Sequence, residues 1–236
     1  MIDKLTVDDC HHWGPSAQVL KWLIDGLPPE AKVLEIGPGY IPFPRATTFV
    51  DFAPKPELAR HGKVVTCDLA VARLPFAAKQ FDFVYCRHVL EDMYSPFLLC
   101  AEMARVAHAG YIETPSPIAE LCRGVDGSAP VYRGYHHHRY FVWSRDNELC
   151  FLAKYPLIEH MAGNDALLVE LLRRGAAYWN TYHAWSGHLR VRHLQNTLDF
   201  DMVQDYGALL ERALREGKQS IDAFWRQIER HDSAAA

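Results

Sequence analysis

No stretch of this 236-residue chain approaches the ~20 consecutive apolar residues of a membrane helix, and Met1 to Trp13 carry charges where a secretion signal needs an apolar run. Membrane insertion and export are therefore not expected. The six cysteines contain no CxxC pair, which removes the usual redox and zinc-ribbon spacings and leaves a reduced, cytoplasmic protein as the expectation. Basic excess is missing too. Lys and Arg number 25 against 29 Asp and Glu, for a formal charge of -4, so there is no electrostatic footprint for nucleic acid. Internal repeats and low-complexity tracts are also absent.

What is present is an ordinary globular composition, 49% hydrophobic and 23% charged, on a length sufficient for one α/β domain. Val33-Leu34-Glu35-Ile36 reads as a buried strand running into Gly37-Pro38-Gly39. Gly37 and Gly39 lack a β-carbon and can take positive φ, letting a ligand touch the backbone at a strand's carboxyl end. A cofactor site is the first hypothesis.

The chain around this turn alternates. Residues 15–27 place Val19, Leu20, Leu23 and Ile24 at helical spacing. Thr47–Val50, Lys63–Cys67, Phe81–Cys86 and Gly110–Thr114 read as further strands, and Pro96–Val106 as an amphipathic helix. That alternation predicts a doubly wound, mostly parallel sheet. Only residues 37–46 connect the first two strands, and Pro42 and Pro44 disfavour a helix there. Further on, Arg133–Trp143 and Glu148–Ala153 flank a polar turn and predict an antiparallel hairpin at the sheet edge. Residues 1–160 are read as the α/β domain with this hairpin. Residues 161–236 are read as a mainly helical extension packed on it, with one short strand at 189–193 and a tail, Asp232–Ala236, that frays.

Four ordered pieces together resemble the class I S-adenosylmethionine-dependent methyltransferases: Val33–Gly39; Phe49-Val50-Asp51; Cys67-Asp68-Leu69 with Leu74-Pro75-Phe76; and Phe81–Val84 followed by His88-Val89-Leu90-Glu91. The resemblance implies a Rossmann-like seven-stranded sheet closed by an antiparallel hairpin, with S-adenosylmethionine as cofactor. By that resemblance Gly37 and Gly39 back onto the cofactor's methionine and ribose, and Glu35 reaches its amino group. Asp51 takes the ribose hydroxyls, while Phe52 packs on the adenine. Asp68 accepts from the adenine amino group and Leu69 forms an apolar wall. Cys86 and Arg87 offer carbonyls to the ammonium. The chain departs from the pattern at Ile41-Pro42, where the usual third small residue and the helix after it are missing; a pyrophosphate would want that helix N-terminus, so a dinucleotide fits less well.

Candidates for chemistry follow the fourth and fifth strands. His88 is the first choice for proton acceptor, its ordinary pKa being near neutrality, with Glu91 beside it and Glu113 and Ser116 after the next strand. In Tyr135-His136-His137-His138-Arg139-Tyr140, strand alternation would put His136 and His138 on one face and His137 and Arg139 on the other. Tyr135, His137 and Arg139 are taken as substrate contacts and His138 as a catalytic candidate. Adjacent histidines on opposite faces cannot all bind one ion, so no metal site is expected. Trp179–Trp185 is an aromatic cluster whose default reading is core, and His11-His12 a surface pair. The function expected is methyl transfer to a small or polar acceptor, with a homo-oligomer compatible with the chain. The rivals are a non-catalytic binder or scaffold of the same fold and a metal-dependent hydrolase built on the histidine run.

Overall fold

A computed structural model describes residues 14–161, 163–194, 201 and 203–235. Cys10, the His11-His12 pair and the Met1–Trp13 segment lie outside them. Helix α1, Ala17–Asp25, is ended where the Gly26 N–H turns back to the Trp22 carbonyl, and it buries Val19 and Leu23. Strands β1 (Val33–Ile36), β2 (Thr48–Asp51), β3 (Lys63–Thr66), β4 (Phe81–Arg87) and β5 (Ala107–Pro115) follow, with helix α2 (Pro96–Val106) crossing between β4 and β5. All five pair in parallel, in the order β3-β2-β1-β4-β5. The β1–β2 connection carries turns but no helix, as its prolines require.

Side-chain alternation divides the sheet's two faces. Val33, Phe83, Tyr85 and Tyr111 pack with Val19, Leu23 and Phe224 on one side, while Leu34, Ile36, Val84, Cys86 and Ile112 pack with Leu99 and Met103 of α2 on the other. All four residues of β1 are buried, as befits a central parallel strand.

After β5 come α3 (Pro117–Leu121), β6 (Tyr140–Arg145), β7 (Glu148–Ala153), α4 (Asp165–Arg173), β8 (Asn180–Ser186), β9 (Arg190–Leu194) and α5 (Gln204–Ala235). The hairpin forms, with Asp146 and Asn147 at positive φ in its turn, but not in the main sheet. It pairs with β9 in a separate three-stranded sheet, and the edge of the main sheet is closed by β8, antiparallel to β5, giving six strands. The reason is burial on both faces. Val142, Leu149 and Phe151 pack toward α2 and the main sheet, whereas Phe141, Trp143, Cys150 and Leu152 pack toward α3, α4 and α5. A hairpin apolar on both faces must lie between two layers.

Further expectations change at the histidine run and at the C-terminal tail, while the aromatic cluster is core as expected. The strand starts at Tyr140, so Arg133–Arg139 is not extended; Gly134 sits at φ 57° and His136-His137 form a turn. The alternation inferred for the histidine run therefore does not hold. The aromatic cluster 179–185 is the edge strand itself, with Tyr182 stacked on Phe224 (4.8 Å, 3°) and Trp185 in the opposite layer. Helix α5 continues through Ala235 where fraying was expected, and its last turns are tied to α1 by His231 Nε2 at 3.1 Å from Asp25 Oδ2. Among the described residues no helix is long and apolar enough to cross a membrane.

Phe224 joins α5 to β8, α1 and β5 through rings on Tyr182, Trp22 and Tyr111. Phe224→Ala is expected to cost about 3 kcal/mol, within the range for a buried aromatic truncation, read as a lower urea midpoint at unchanged slope. A change under about 0.5 kcal/mol would mean that this contact does not hold the helix down.

Candidate functional site

The carboxyl ends of β1 and β4 are neighbours whose connections leave in opposite directions, β1 toward β2 and β4 toward β5. Such a switch point opens a crevice in any doubly wound sheet. Here it holds a cleft of about 490 Å³ lined by Glu35, Gly37, Pro38, Gly39, Tyr40 and Ile41 from the first turn, by Tyr85, Arg87, His88 and Asp92 from the end of β4, and by Tyr135, His137 and His138.

The glycine turn is built for close approach. Gly37 has φ 63°, and a β-carbon there would lie 2.4 Å from Val89 Cγ2; Gly39 has φ 56° and open space where a β-carbon would stand. Gly37 is thus required by packing, while Gly39 leaves its face free. Beneath them the Glu35 carboxyl is 2% exposed and accepts the Phe43 N–H at 2.8 Å, which draws the β1–β2 loop back over it. Burial pushes its pKa up to about 8, against smaller lowering effects of the Phe43 hydrogen bond and the Arg87 charge. Glu35 is therefore mostly neutral at pH 7.

The opposite wall is charged and braced. Arg87 Nε donates to Glu113 Oε1 at 2.8 Å, and Glu113 also accepts from Tyr111 Oη (2.5 Å) and Asn180 Nδ2 (2.9 Å). His88 follows at φ 53°, a left-handed conformation that a non-glycine residue keeps only where its surroundings hold it; its own N–H donates to the Glu113 carbonyl at 2.8 Å. Its Nδ1 lies 3.3 Å from Glu91 Oε1, and neither Nε2 nor the two Glu91 oxygens has an aligned hydrogen-bond partner. Burial, then the Arg87 charge, depresses His88 to about 3, and burial lifts Glu91 to about 7. His88 is a neutral imidazole at the cleft wall.

His138 is held from behind. Its Nδ1 is 2.6 Å from Glu120 Oε1, and Lys154 Nζ sits 2.5 Å from Glu120 Oε2 and 2.7 Å from the Tyr135 carbonyl. Burial alone would raise Glu120, but Lys154 and His138 keep it below the usual carboxylate range. Despite its own burial, His138 is raised by Glu120.

The sequence candidates divide accordingly. Glu35, Gly37, Gly39, Arg87, His88, Tyr135, His137 and His138 come together at the cleft, with Glu91 buried behind His88. Asp51, Phe52, Asp68 and Leu69 stand at the ends of β2 and β3, outside the cleft lining. Asp51 Oδ1 accepts the Ala53 N–H and Asp68 Oδ1 the Ala70 N–H, Phe52 is exposed, and Leu69 packs in the core. The Cys86 side chain is in the core as well. Arg139 lies at the rim, donating from Nε to the Asp92 carbonyl at 3.0 Å with its guanidinium 3.5 Å over the Tyr94 ring. Sequence reasoning missed Tyr40, Tyr85 and Asp92 as lining residues. For Asp92 a signal existed, since it directly follows Glu91.

Residues 44–112 match the family model of a methyltransferase domain. Similar solved structures include an S-adenosylmethionine-dependent methyltransferase of Mesorhizobium loti (17% identity over 59% of this chain and 65% of that one, TM-score 0.37). Another comes from Aquifex aeolicus (15%, 43% and 65%, TM-score 0.36), and a candidate methyltransferase from Bacillus halodurans gives 18%, 43% and 52%, TM-score 0.34. The chain thus spans about half the length of the Bacillus halodurans protein. No curated protein matches it.

Because the folded pKa of Glu35 is raised, its contribution to stability is full below its ordinary carboxylate pKa and is lost as pH rises toward about 8. Glu35→Gln is therefore expected to gain on the wild type between pH 5 and pH 8, by on the order of a few kcal/mol, in denaturant titrations. A pH-independent difference would place the Glu35 carboxyl in water. The segment that matches a methyltransferase domain, residues 44–112, runs from just before β2 to within β5 of the β3-β2-β1-β4-β5 sheet, and over that segment the chain is similar to S-adenosylmethionine-dependent methyltransferases.

Proposed function

We propose that the chain binds S-adenosylmethionine in this cleft and transfers its methyl group to a small or polar acceptor. The observation that carries the reading is the pairing of an open glycine turn with a buried carboxyl on one wall and, on the other, an imidazole whose Nε2 has no hydrogen-bond partner. The residues fit the cofactor. Gly39 leaves room for backbone contact, Glu35 would give the ammonium of an amino-acid moiety a carboxylate once it loses its proton, and Asp51, one strand over and outside the cleft lining, would take the ribose hydroxyls with the oxygen not committed to Ala53. When bound, the cofactor supplies a methyl group activated by a positive sulfur.

The chain's own work is alignment, exclusion of water and removal of one proton. His88, neutral and held at the cleft by its backbone, is left a weak base by its burial and serves as a substrate contact that accepts a hydrogen bond from the nucleophile and aligns it, and Glu91, 3.3 Å behind it, is a positioning residue. Tyr135 and His137 border the acceptor's side of the cleft, with Arg139 at its rim and His138 fixed by Glu120. A cytoplasmic location and small-molecule partners belong to the same proposal.

Calorimetry of the full chain with S-adenosylmethionine tests the binding half. Saturable binding is expected, weakened at least tenfold by Gly39→Val, which fills the open face. Absence of heat at millimolar ligand overturns the reading. The catalytic half is tested with His88→Asn, chosen because Asn tolerates the left-handed backbone. Turnover of the demethylated cofactor across a panel of alcohols, carboxylates and amines is expected to fall about 10²–10⁴-fold at unchanged cofactor affinity. Unchanged turnover removes His88 from the chemistry; a wild type that binds but never turns over leaves the non-catalytic rival.

A further inference from the structure

The histidine run, being a turn and not a strand, brings two neighbouring imidazoles to one place. His137 Nε2 lies 3.6 Å and His138 Nε2 3.7 Å from the same oxygen, Asp92 Oδ1, and the three donor atoms lie within 4.8 Å of one another. These separations are too long for hydrogen bonds. They are close to the edge of a tetrahedron around an ion with bonds of about 2.0–2.1 Å, whose donors stand about 3.4 Å apart. We propose that Asp92, His137 and His138 bind a divalent first-row transition-metal ion at the cleft wall.

A second, independent feature supports the assignment. His138 Nδ1 meets the buried Glu120 carboxylate at 2.6 Å, and Glu120 is itself held by Lys154. A carboxylate behind a histidine fixes the ring's tautomer and orientation so that its outer nitrogen lone pair faces the ion, a support that recurs around metal-ligating histidines. Two imidazoles and one carboxylate suit zinc, iron, cobalt or manganese better than calcium or magnesium. Asp126, His136 and His137 form a neighbouring cluster, but His136 Nδ1 and Asp126 Oδ2 already bond directly at 2.6 Å, and Asp126 Oδ1 accepts the Ser128 N–H and hydroxyl. That cluster is closed on itself and is not the site. All three proposed ligands line the cleft, so the coordination positions they leave open face it. An ion there would lower the pKa of an acceptor hydroxyl bound to it; this use rests on the methyl-transfer reading, whereas the site itself does not.

The test is metal retention by the purified full chain. After incubation with Zn²⁺ or Co²⁺ and desalting, elemental analysis is expected to give one ion per chain, with the visible bands of a nitrogen- and oxygen-ligated cobalt centre. Asp92→Asn and His137→Ala, both at exposed positions, are expected to weaken Co²⁺ binding at least tenfold, while His136→Ala leaves it unchanged. S-adenosylmethionine affinity, measured separately by calorimetry, keeps a failure here distinct from a failure of the cofactor reading. The proposal is overturned if the wild type retains no ion, if Asp92→Asn and His137→Ala bind as the wild type does, or if the ion is lost only on changing Cys10, His11 and His12.

Discussion

Four carboxyls, Glu35, Glu91, Glu113 and Glu120, are buried around one cleft, and the rest of the site follows from what that burial demands. A carboxylate removed from water must be paired or must take up a proton. Glu113 and Glu120 are paired: Arg87, Tyr111 and Asn180 surround the first, His138 and Lys154 the second. Glu35 and Glu91 are instead pushed toward neutrality. The paired acids hold side chains in place, whereas Glu35, at the cleft, is available to a cationic ligand or a proton and Glu91 stays buried behind His88.

This division explains how the fold positions function. Glu113 ties β5 to the end of β4 through Arg87 and to β8 through Asn180, so the edge strand is coupled to the cleft. Glu120 on α3 reaches into the turn that carries the histidines, coupling the hairpin layer to the same wall. The cleft is thus braced from both layers, while its other side is a glycine turn held down by the Phe43 N–H on Glu35. A braced wall on one side and, on the other, an open backbone over the buried Glu35 carboxyl suit a ligand that is cationic and lies against main chain.

Much of the parallel sheet was legible in the residues. Val33–Ile36, Phe81–Cys86 and Pro96–Val106 announce themselves by apolar runs or helical spacing, and the prolines after Gly39 announce the short connection. The glycine turn, Glu35, His88 and Glu91 were legible because they lie within a few residues of those elements. Two things were not. The strand Asn180–Ser186 carries large side chains on both faces, which hides alternation and resembles a buried helix end. The run Tyr135–Arg139 borrows its apparent strand character from β6, while Gly134 at φ 57° and the bond from the Gly134 N–H to the Cys122 carbonyl bend it into a turn. Both depend on partners more than ten residues away, beyond the reach of a local pattern.

The proposed cofactor reading is tested most directly at Glu35, whose carboxyl burial pushes toward the protonated form and which would have to ionise to receive the cofactor's ammonium. Calorimetric titration of S-adenosylmethionine at pH 7, repeated in buffers of different ionisation enthalpy, counts the protons released on binding. Close to one proton per cofactor is expected from the wild type, and essentially none from Glu35→Gln. No release from the wild type, or the same release from both proteins, would contradict the account.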